Sequence, residues 1–229
     1  MAVILQVETS TEVCSVSLSE NGLLINCFES SESNSHTERL TLLIKQSLTE
    51  AGLKMSQLDA VAIGDGPGSY TSLRVGVATA KGICYATGCP IIALDSLTTL
   101  SYGIPDELLN ENDCIIPMID AKRMEVYCSV FDINRNKKKP TEAIILQEDS
   151  FLAFSGNKNQ IHLCGNGSEK WFKNFATEQF KLHHKKTSSS YMTIPAHMAY
   201  EKKLFADLNF YIPNYFKAPN ITKSSKKLL

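Results

Sequence analysis

The sequence predicts an α/β protein built from two related halves, and three observations carry that prediction. Residues 60–88 read as a strand, a glycine turn and a helix: the apolar run 60–63 breaks into Gly64-Asp65-Gly66-Pro67-Gly68, and helical periodicity follows until Gly88. The chain opens with two strand-like runs, 3–7 and 13–18, around the turn Glu8-Thr9-Ser10-Thr11-Glu12. That opening returns in the second half, where 115–120 and 126–131 flank another turn and Asp120 stands where Glu8 stood, as in a duplicated unit.

Each element follows from local chemistry. Asn21-Gly22 is a hairpin turn into a third run at 23–28, completing an N-terminal β-meander, and 30–35 is a polar loop. From about Thr37 a helix places Leu40, Leu43, Ile44, Leu48 and Ala51 on one face and stops at Gly52. In the turn at 64–68 the glycines permit positive φ and close backbone approach, Pro67 stiffens the chain, and Ser69 or Thr71 caps the next helix. The free amides of that helix end suit an anion, or the turn serves only tight strand-to-helix packing. Ser72, Gly76 and Ala80 recur every four residues and leave a flat stripe for another backbone, either the chain's own neighbour or a partner. A strand at 91–94 precedes a helix opening at Asp95-Ser96.

Gly103, Pro105, Asn110 and Asn112 break the pattern at 102–113, so two domains are expected, 1–105 and a smaller, less regular 106–229. In the latter, 143–146 and 161–164 read as strands and Gly165-Asn166-Gly167 as a turn. Ser168 is expected to cap a helix through Trp171 and Phe175, and 187–190 reads as a polar linker. Pro195 suits the first turn of a helix reaching about Leu208, 211–217 closes the ordered chain, and the last ten residues are expected to fray.

Composition narrows the function classes. At 229 residues, 43% hydrophobic and 21% charged, the chain is ordinary for a globular protein. A net charge of -1 argues against gripping nucleic acid by bulk electrostatics, although Lys137-Lys138-Lys139 and the tail 223–227 are local basic runs, read here as a solvated loop and a frayed end. The N-terminus lacks the charged-then-apolar pattern of a secretory signal, and no stretch approaches the roughly 18 apolar residues of a membrane span, so a cytoplasmic protein is expected. Seven cysteines without a C-x-x-C pair read as reduced core residues.

Glu8 and Asp120, on matching turns, could face one another across a cleft and hold Mg²⁺ or a water, with Thr9, Ser10 and Thr11 offering hydroxyls to phosphate. Acidic residues at strand ends also serve simply as turn formers. His36 has Arg39 and Leu40 at the positions where a helical metal site needs its second ligand, so it reads as a surface or capping residue. His183-His184, in a basic loop, is a poor chelate. Neither a P-loop, a dinucleotide fingerprint nor a nucleophile elbow is present.

The segments ILQVETSTEVCSVSL, GDGPGSYTSLRVGVATAKGI, ALDSLTTL, PMIDAKRMEVYCSVF and PNYFK together resemble the TsaB family, also called YeaZ, of the bacterial machinery that makes threonylcarbamoyladenosine in tRNA. The resemblance runs from Met1 to about Asp132 and returns at Gly165-Asn166-Gly167 and 213–217; G-P-G-S-aromatic-T followed by Leu-Arg is its most diagnostic part. It implies two actin/Hsp70-like (ribonuclease H-like) domains with mixed sheets flanked by helices. It also implies a non-catalytic role pairing with TsaD, which transfers the threonylcarbamoyl group to tRNAs reading codons that begin with A, together with the ATPase TsaE. A homodimer when alone, tRNA contact only through the complex, no membrane, no required cofactor and weak ATP or ADP with Mg²⁺ at the partner joint complete the picture. The catalytic relative holds its metal on a His-x-x-x-His helix; here the second position is Leu40.

The resemblance places the partner contact on the helices at 37–51 and 70–87, through Arg39 and Leu43 on the first. On the second it involves Tyr70, Ser72, Leu73, Arg74, Gly76, Val77 and Ala80. Gly76→Leu or Ala80→Leu is then expected to spare the fold and break association. Three departures stand out: Glu8 replaces the family's usual Asp, Ser72 a common Gly, and Lys217 a usual Arg. The competing readings are an ATPase or kinase of the same fold, an M22-like metallopeptidase, and a direct RNA binder using the lysine runs.

Overall fold

The computed structural model describes residues 1–31, 36–154 and 159–217. Two five-stranded sheets repeat one topology. In the first, β1 (Val3–Glu8), β2 (Cys14–Glu20) and β3 (Leu23–Ser30) form an antiparallel meander; β4 (Ala60–Gly64) and β5 (Ile91–Leu94) extend it in parallel from the other edge of β1. In the second, β6 (Cys114–Asp120), β7 (Glu125–Asp132) and β8 (Lys137–Ile145) form the meander, with β9 (Ile161–Cys164) and β10 (Phe180–His183) in parallel beside β6. The strand orders β3-β2-β1-β4-β5 and β8-β7-β6-β9-β10 correspond one to one, which makes the duplication seen in the two opening motifs a property of the whole fold.

Helices cover both faces of the first sheet because its inner strands alternate apolar side chains in two directions. Leu5, Val7, Val61 and Ile63 pack under α1 (His36–Glu50) and α2 (Tyr70–Thr87), meeting Leu40, Ile44, Val77 and Ala80. Ile4, Ala60, Ala62 and Ile92 face the other way and are covered by Met192, Ala196 and Ala199, the last two on α5 (Thr193–Glu201). In the second sheet α4 (Ser168–Phe175) buries Trp171 against Met118, Leu163 and Phe180. The other face packs on Leu97 and Leu100 of α3 (Ser96–Ser101), a helix that arises directly after β5.

The chain therefore crosses back. After β10, Thr187 to Ser190 do not form a loose linker: Thr187, Ser188 and Ser189 are buried, and a 3-10 turn at Ser189–Met192 leads into α5 on the first sheet. A hydroxyl ladder fastens this crossing, with Thr11 Oγ1 2.5 Å from Thr187 Oγ1 and Ser15 Oγ 2.7 Å from Ser189 Oγ. Small hydroxyls suit a crossing where two backbones pass closely and each buried polar atom needs a partner. The chain then runs along the first half, where Ala206 bridges Ile91 and Asn214 N donates to Asp65 O.

Several local expectations change. Lys137 to Lys139 lie in the edge strand β8 rather than a loop, Lys137 pairing with Asp95 and Lys138 with Asp132; lysines on an edge strand discourage further sheet pairing. α5 stops at Glu201, well short of Leu208, and Gly167 rather than Ser168 takes the cap position of α4. Most of the expected polar loop at 30–35, the basic run at 223–227 and the fraying tail lie outside the described residues. All seven cysteines are free thiols.

His183 sits at the end of β10 and not in a loop. Its Nε2 lies 2.8 Å from His162 Nδ1 on β9, and His162 Nε2 lies 3.2 Å from the buried Asp113 carboxylate just before β6. This chain ties three parallel strands together. Burial alone would push the Asp113 pKa up, but the amides of Gln160 and Asn110 and the His162 ring hold it below the usual carboxylate value. Asp113→Ala leaves those donors unpaired and should cost about 3 kcal/mol in urea unfolding at pH 7. A carboxylate with a depressed pKa stabilises the fold above its unfolded pKa and loses that contribution as pH falls. The gap between variant and wild type should therefore narrow on acidification through the carboxylate range; a gap constant with pH would show that Asp113 acts by packing alone.

Candidate functional site

The site is the cleft between the two halves, a space of about 640 Å³. Its walls are the β1–β2 turn (Ser10, Thr11, Glu12), the first turn of α2 (Ser69, Tyr70, Ser72), the start of α1 (His36) and the β6–β7 turn (Asp120, Lys122), with Lys217 at the mouth.

Local sequence explains the first wall. The segment Gly64–Gly68 brings the start of α2 against the β1–β2 turn, and Ser69 N donates to Ser10 O at 2.7 Å. A Cβ on Gly68 would collide with the Ser10 carbonyl, and one on Gly76 with Thr9 Oγ1 and Ile63, so both glycines are demanded by close approach. Ser69 caps α2 through the Ser72 amide, as one of the two expected candidates. Pro67 follows a cis peptide bond.

The four cofactor candidates do not converge. Glu8 is fully buried beneath the turn and does not line the cleft. Its Oε1 accepts from Ser10 N at 2.7 Å, its Oε2 has no partner among the described residues, and Gly64 packs against the carboxyl group. Desolvation drives its pKa up, against the weaker opposing pull of Ser10 and Ser96. Thr9 is likewise buried with its hydroxyl turned to Gly76, and only Ser10 and Asp120 reach the cleft wall. Asp120 Oδ1 is taken by Lys170 Nζ at 2.5 Å and the Lys122 amide at 2.6 Å. Glu8 and Asp120 therefore do not face one another across a shared metal position, and the described residues hold no His/Cys/Asp/Glu group of metal-site geometry. The cleft instead offers hydroxyls together with two lysines, Lys122 and Lys217, and two carboxylates, Glu12 and Asp120.

His36 is a correction. It is neither exposed nor a cap; it is buried at the cleft edge with Nε2 unpartnered among the described residues, while Leu40 one turn on is fully buried in the core.

The partner stripe is a second correction. Leu73, Gly76, Val77 and Ala80 are buried inside this chain, where Gly76 lies on Thr9 and Ala80 enters the core with Ile44 and Ile63; Leu43 is buried with them. Of the expected contacts, Arg74 is exposed, and Arg39, Tyr70 and Ser72 are half-exposed. Arg74 stacks on Tyr70 at 4.3 Å and its Nε donates to Tyr215. The outward face of α2 runs through Thr71, Arg74, Ala78, Gly82 and Tyr85. The small-residue spacing by itself left open whether Ser72, Gly76 and Ala80 meet the chain's own neighbour or a partner, and it was the resemblance that assigned them to a partner. In the structure Gly76 and Ala80 meet the chain itself, while Ala78-Gly82, with the same spacing, faces outward; the apolar neighbours Leu73 and Val77 were the available signal that the first strip faces inward.

Two outcomes follow. Gly76→Leu should destabilise the fold by about 3 kcal/mol or more in chemical unfolding, because the helix must lift off the turn; an unchanged midpoint would refute that contact. A carboxyl with a raised pKa binds its proton more tightly when folded, so its contribution is complete below the unfolded pKa near 4.5 and is lost as pH rises through the folded value. Glu8→Gln should therefore unfold at higher urea than wild type at pH 8, with the advantage shrinking toward pH 5. Parallel pH profiles would contradict the burial argument.

With this geometry in place, comparison with known proteins gives a consistent answer. The family model described as TsaD, tRNA N6-adenosine threonylcarbamoyltransferase, matches residues 30–223. The tRNA threonylcarbamoyladenosine biosynthesis protein TsaB of Escherichia coli K12 is 32% identical over 171 residues, 73% of either chain. The TsaB protein of Haemophilus influenzae is 36% identical over 126 residues, a match spanning 55% of this chain and about half (52%) of that one. YeaZ from Pseudomonas aeruginosa superposes with a TM-score of 0.76 at 23% identity, covering 94% of this chain and all of that one, which shows the shared fold. A duplicated sheet topology and a glycine-packed β1–β2 turn thus accompany a match over most of the chain's length, and the chain belongs to the TsaB (YeaZ) family.

Proposed function

We propose that this chain is a non-catalytic docking subunit of the cytoplasmic assembly that makes N6-threonylcarbamoyladenosine in tRNA, and that it pairs with TsaD through the outward faces of α1 and α2. The pathway is supported by the names of the matched relatives. The observation that carries the docking role is the solvent face of α2. Ala78 and Gly82 leave a smooth strip there, Tyr85 at its end is 86% exposed, and Leu42 on neighbouring α1 is 57% exposed. A glycine inside an exposed helix costs about 1 kcal/mol relative to alanine. Among the described residues nothing lies within 4 Å of a Cβ placed on Gly82, so no contact there requires its absence. A second helix laid on the strip would require it, with Tyr85 as an aromatic anchor and Arg74 at the rim.

The chemistry is left to the partner. Leu40 carries no donor atom, Glu8 is sealed under its turn and Asp120 is held by Lys170. TsaE joins the pair, the free chain self-associates through the same strip, and any ATP or ADP with Mg²⁺ is held only at the joint between partners.

Gly82→Arg should leave the unfolding midpoint close to wild type while abolishing co-elution with TsaD, and Tyr85→Ala should weaken pairing about tenfold or more. Full pairing by both variants would sink the docking reading. Calorimetric titration of the isolated chain with Mg-ATP should be silent; micromolar binding with turnover would instead establish an enzyme.

A further inference from the structure

Cationic side chains from separate segments gather outside the carboxyl ends of the parallel strands β6, β9 and β10, where open α/β sheets present their ligands. Lys122 and Arg123 form the tip of the β6–β7 turn. Both are exposed and both sit at positive φ, 71° and 52°, a conformation that costs residues with side chains. Lys170 and Lys173 come from α4, and His184, Lys185 and Lys186 follow β10. Between α4 and 183–186 lies a groove of about 510 Å³, joined to the cleft through Asn166, which lines both. His183 also lines the groove and is braced from behind by His162 and Asp113, so this wall is stiff.

Carboxylates are interleaved but fewer. Glu169 meets Lys173 at 2.7 Å and His184 at 3.3 Å, Glu12 meets Lys186 at 3.4 Å, and Asp120 meets Lys170. Apart from the half-buried Lys170–Asp120 pair these bridges are exposed and contribute little to stability, so Lys173 and Lys186 can exchange a carboxylate for a phosphate at little cost. In a chain of net charge -1 the excess is local and comes from folding. Among the described residues that line the groove, Leu182 is the one large apolar side chain and none is Phe, Tyr or Trp. A protein partner would need buried apolar or aromatic anchors, whereas a phosphate backbone needs spaced cations.

We propose that this groove is where the chain itself holds the phosphate backbone of the tRNA on which its assembly acts. The inference rests on the tRNA-modification reading above and departs from the expectation that tRNA is reached only through the partner. The run Lys137-Lys138-Lys139 singled out in the sequence lies in β8 and does not line the groove.

Fluorescence anisotropy of a labelled tRNA transcript, titrated with the chain alone and with its TsaD complex, tests it. A Lys173→Glu, Lys185→Glu, Lys186→Glu variant should bind at least about tenfold more weakly, and its slope of log affinity against log salt should flatten by about one per lysine. The milder Lys→Gln set should move the same way by about threefold, and Lys137→Glu, Lys138→Glu, outside the groove, should change nothing. Unchanged affinity and slope in the groove variants, an equal loss in the control, or no salt-dependent binding by the wild type in either form overturns the proposal. Co-elution with TsaD, recorded on the same samples, is a separate readout: a wild type that fails to pair yet loses tRNA on groove substitution would overturn the subunit reading and leave the groove standing.

Discussion

The contact on which the rest of the structure depends is the close approach of α2 to the β1–β2 turn. Gly68 against the Ser10 carbonyl and Gly76 against Thr9 leave no space for a β-carbon, and the Ser69 amide donates to Ser10 O. That approach seals Glu8 beneath its own turn, removes it from the cleft and raises its pKa by desolvation. It also sets the rotation of α2. With Leu73, Gly76, Val77 and Ala80 committed inward, the strip of Ala78, Gly82 and Tyr85 must face solvent. One packing decision thereby disarms a candidate catalytic carboxylate and creates a candidate docking face.

The same topology used twice yields two different ends. In the first half the carboxyl ends of the parallel strands are closed by glycines and hydroxyls packed to contact. In the second, the corresponding turn carries Lys122 and Arg123, and Asp120 at the place of Glu8 is half-exposed and bridged to Lys170. Duplication supplied equivalent positions, and local side chains then made one a packed joint and the other a cationic rim. The hydroxyl ladder of Thr11, Ser15, Thr187 and Ser189 connects the halves, and because α5 returns to the first sheet the first half is not one consecutive segment.

Most of the elements were legible in the sequence because they depend on neighbours along the chain. Alternation in 3–7 and 13–18, the cap at Ser69, the stop at Gly88 and the repeated opening at 115–131 each record a period or a backbone preference. The strand β10 escaped because four residues, two of them basic or histidine, show no clear period; its partner is β9, many residues earlier. The crossing at 187–190 escaped because hydroxyl-rich segments look alike whether they are solvated or zipped to a distant strand.

Residue order along the chain thus settled the α/β class, the doubling of the unit, the glycine turn with its capped helix and the absence of a second imidazole four residues after His36, where Leu40 stands, since each is a matter of residue type at short range. Which side of α2 is free, whether Glu8 touches solvent, and whether scattered lysines form one surface were decided only on folding. Those properties belong to side chains brought together from segments far apart: burial and local charge density are sums over neighbours in space, and the chain specifies those neighbours only once both sheets and the returning segment are in place.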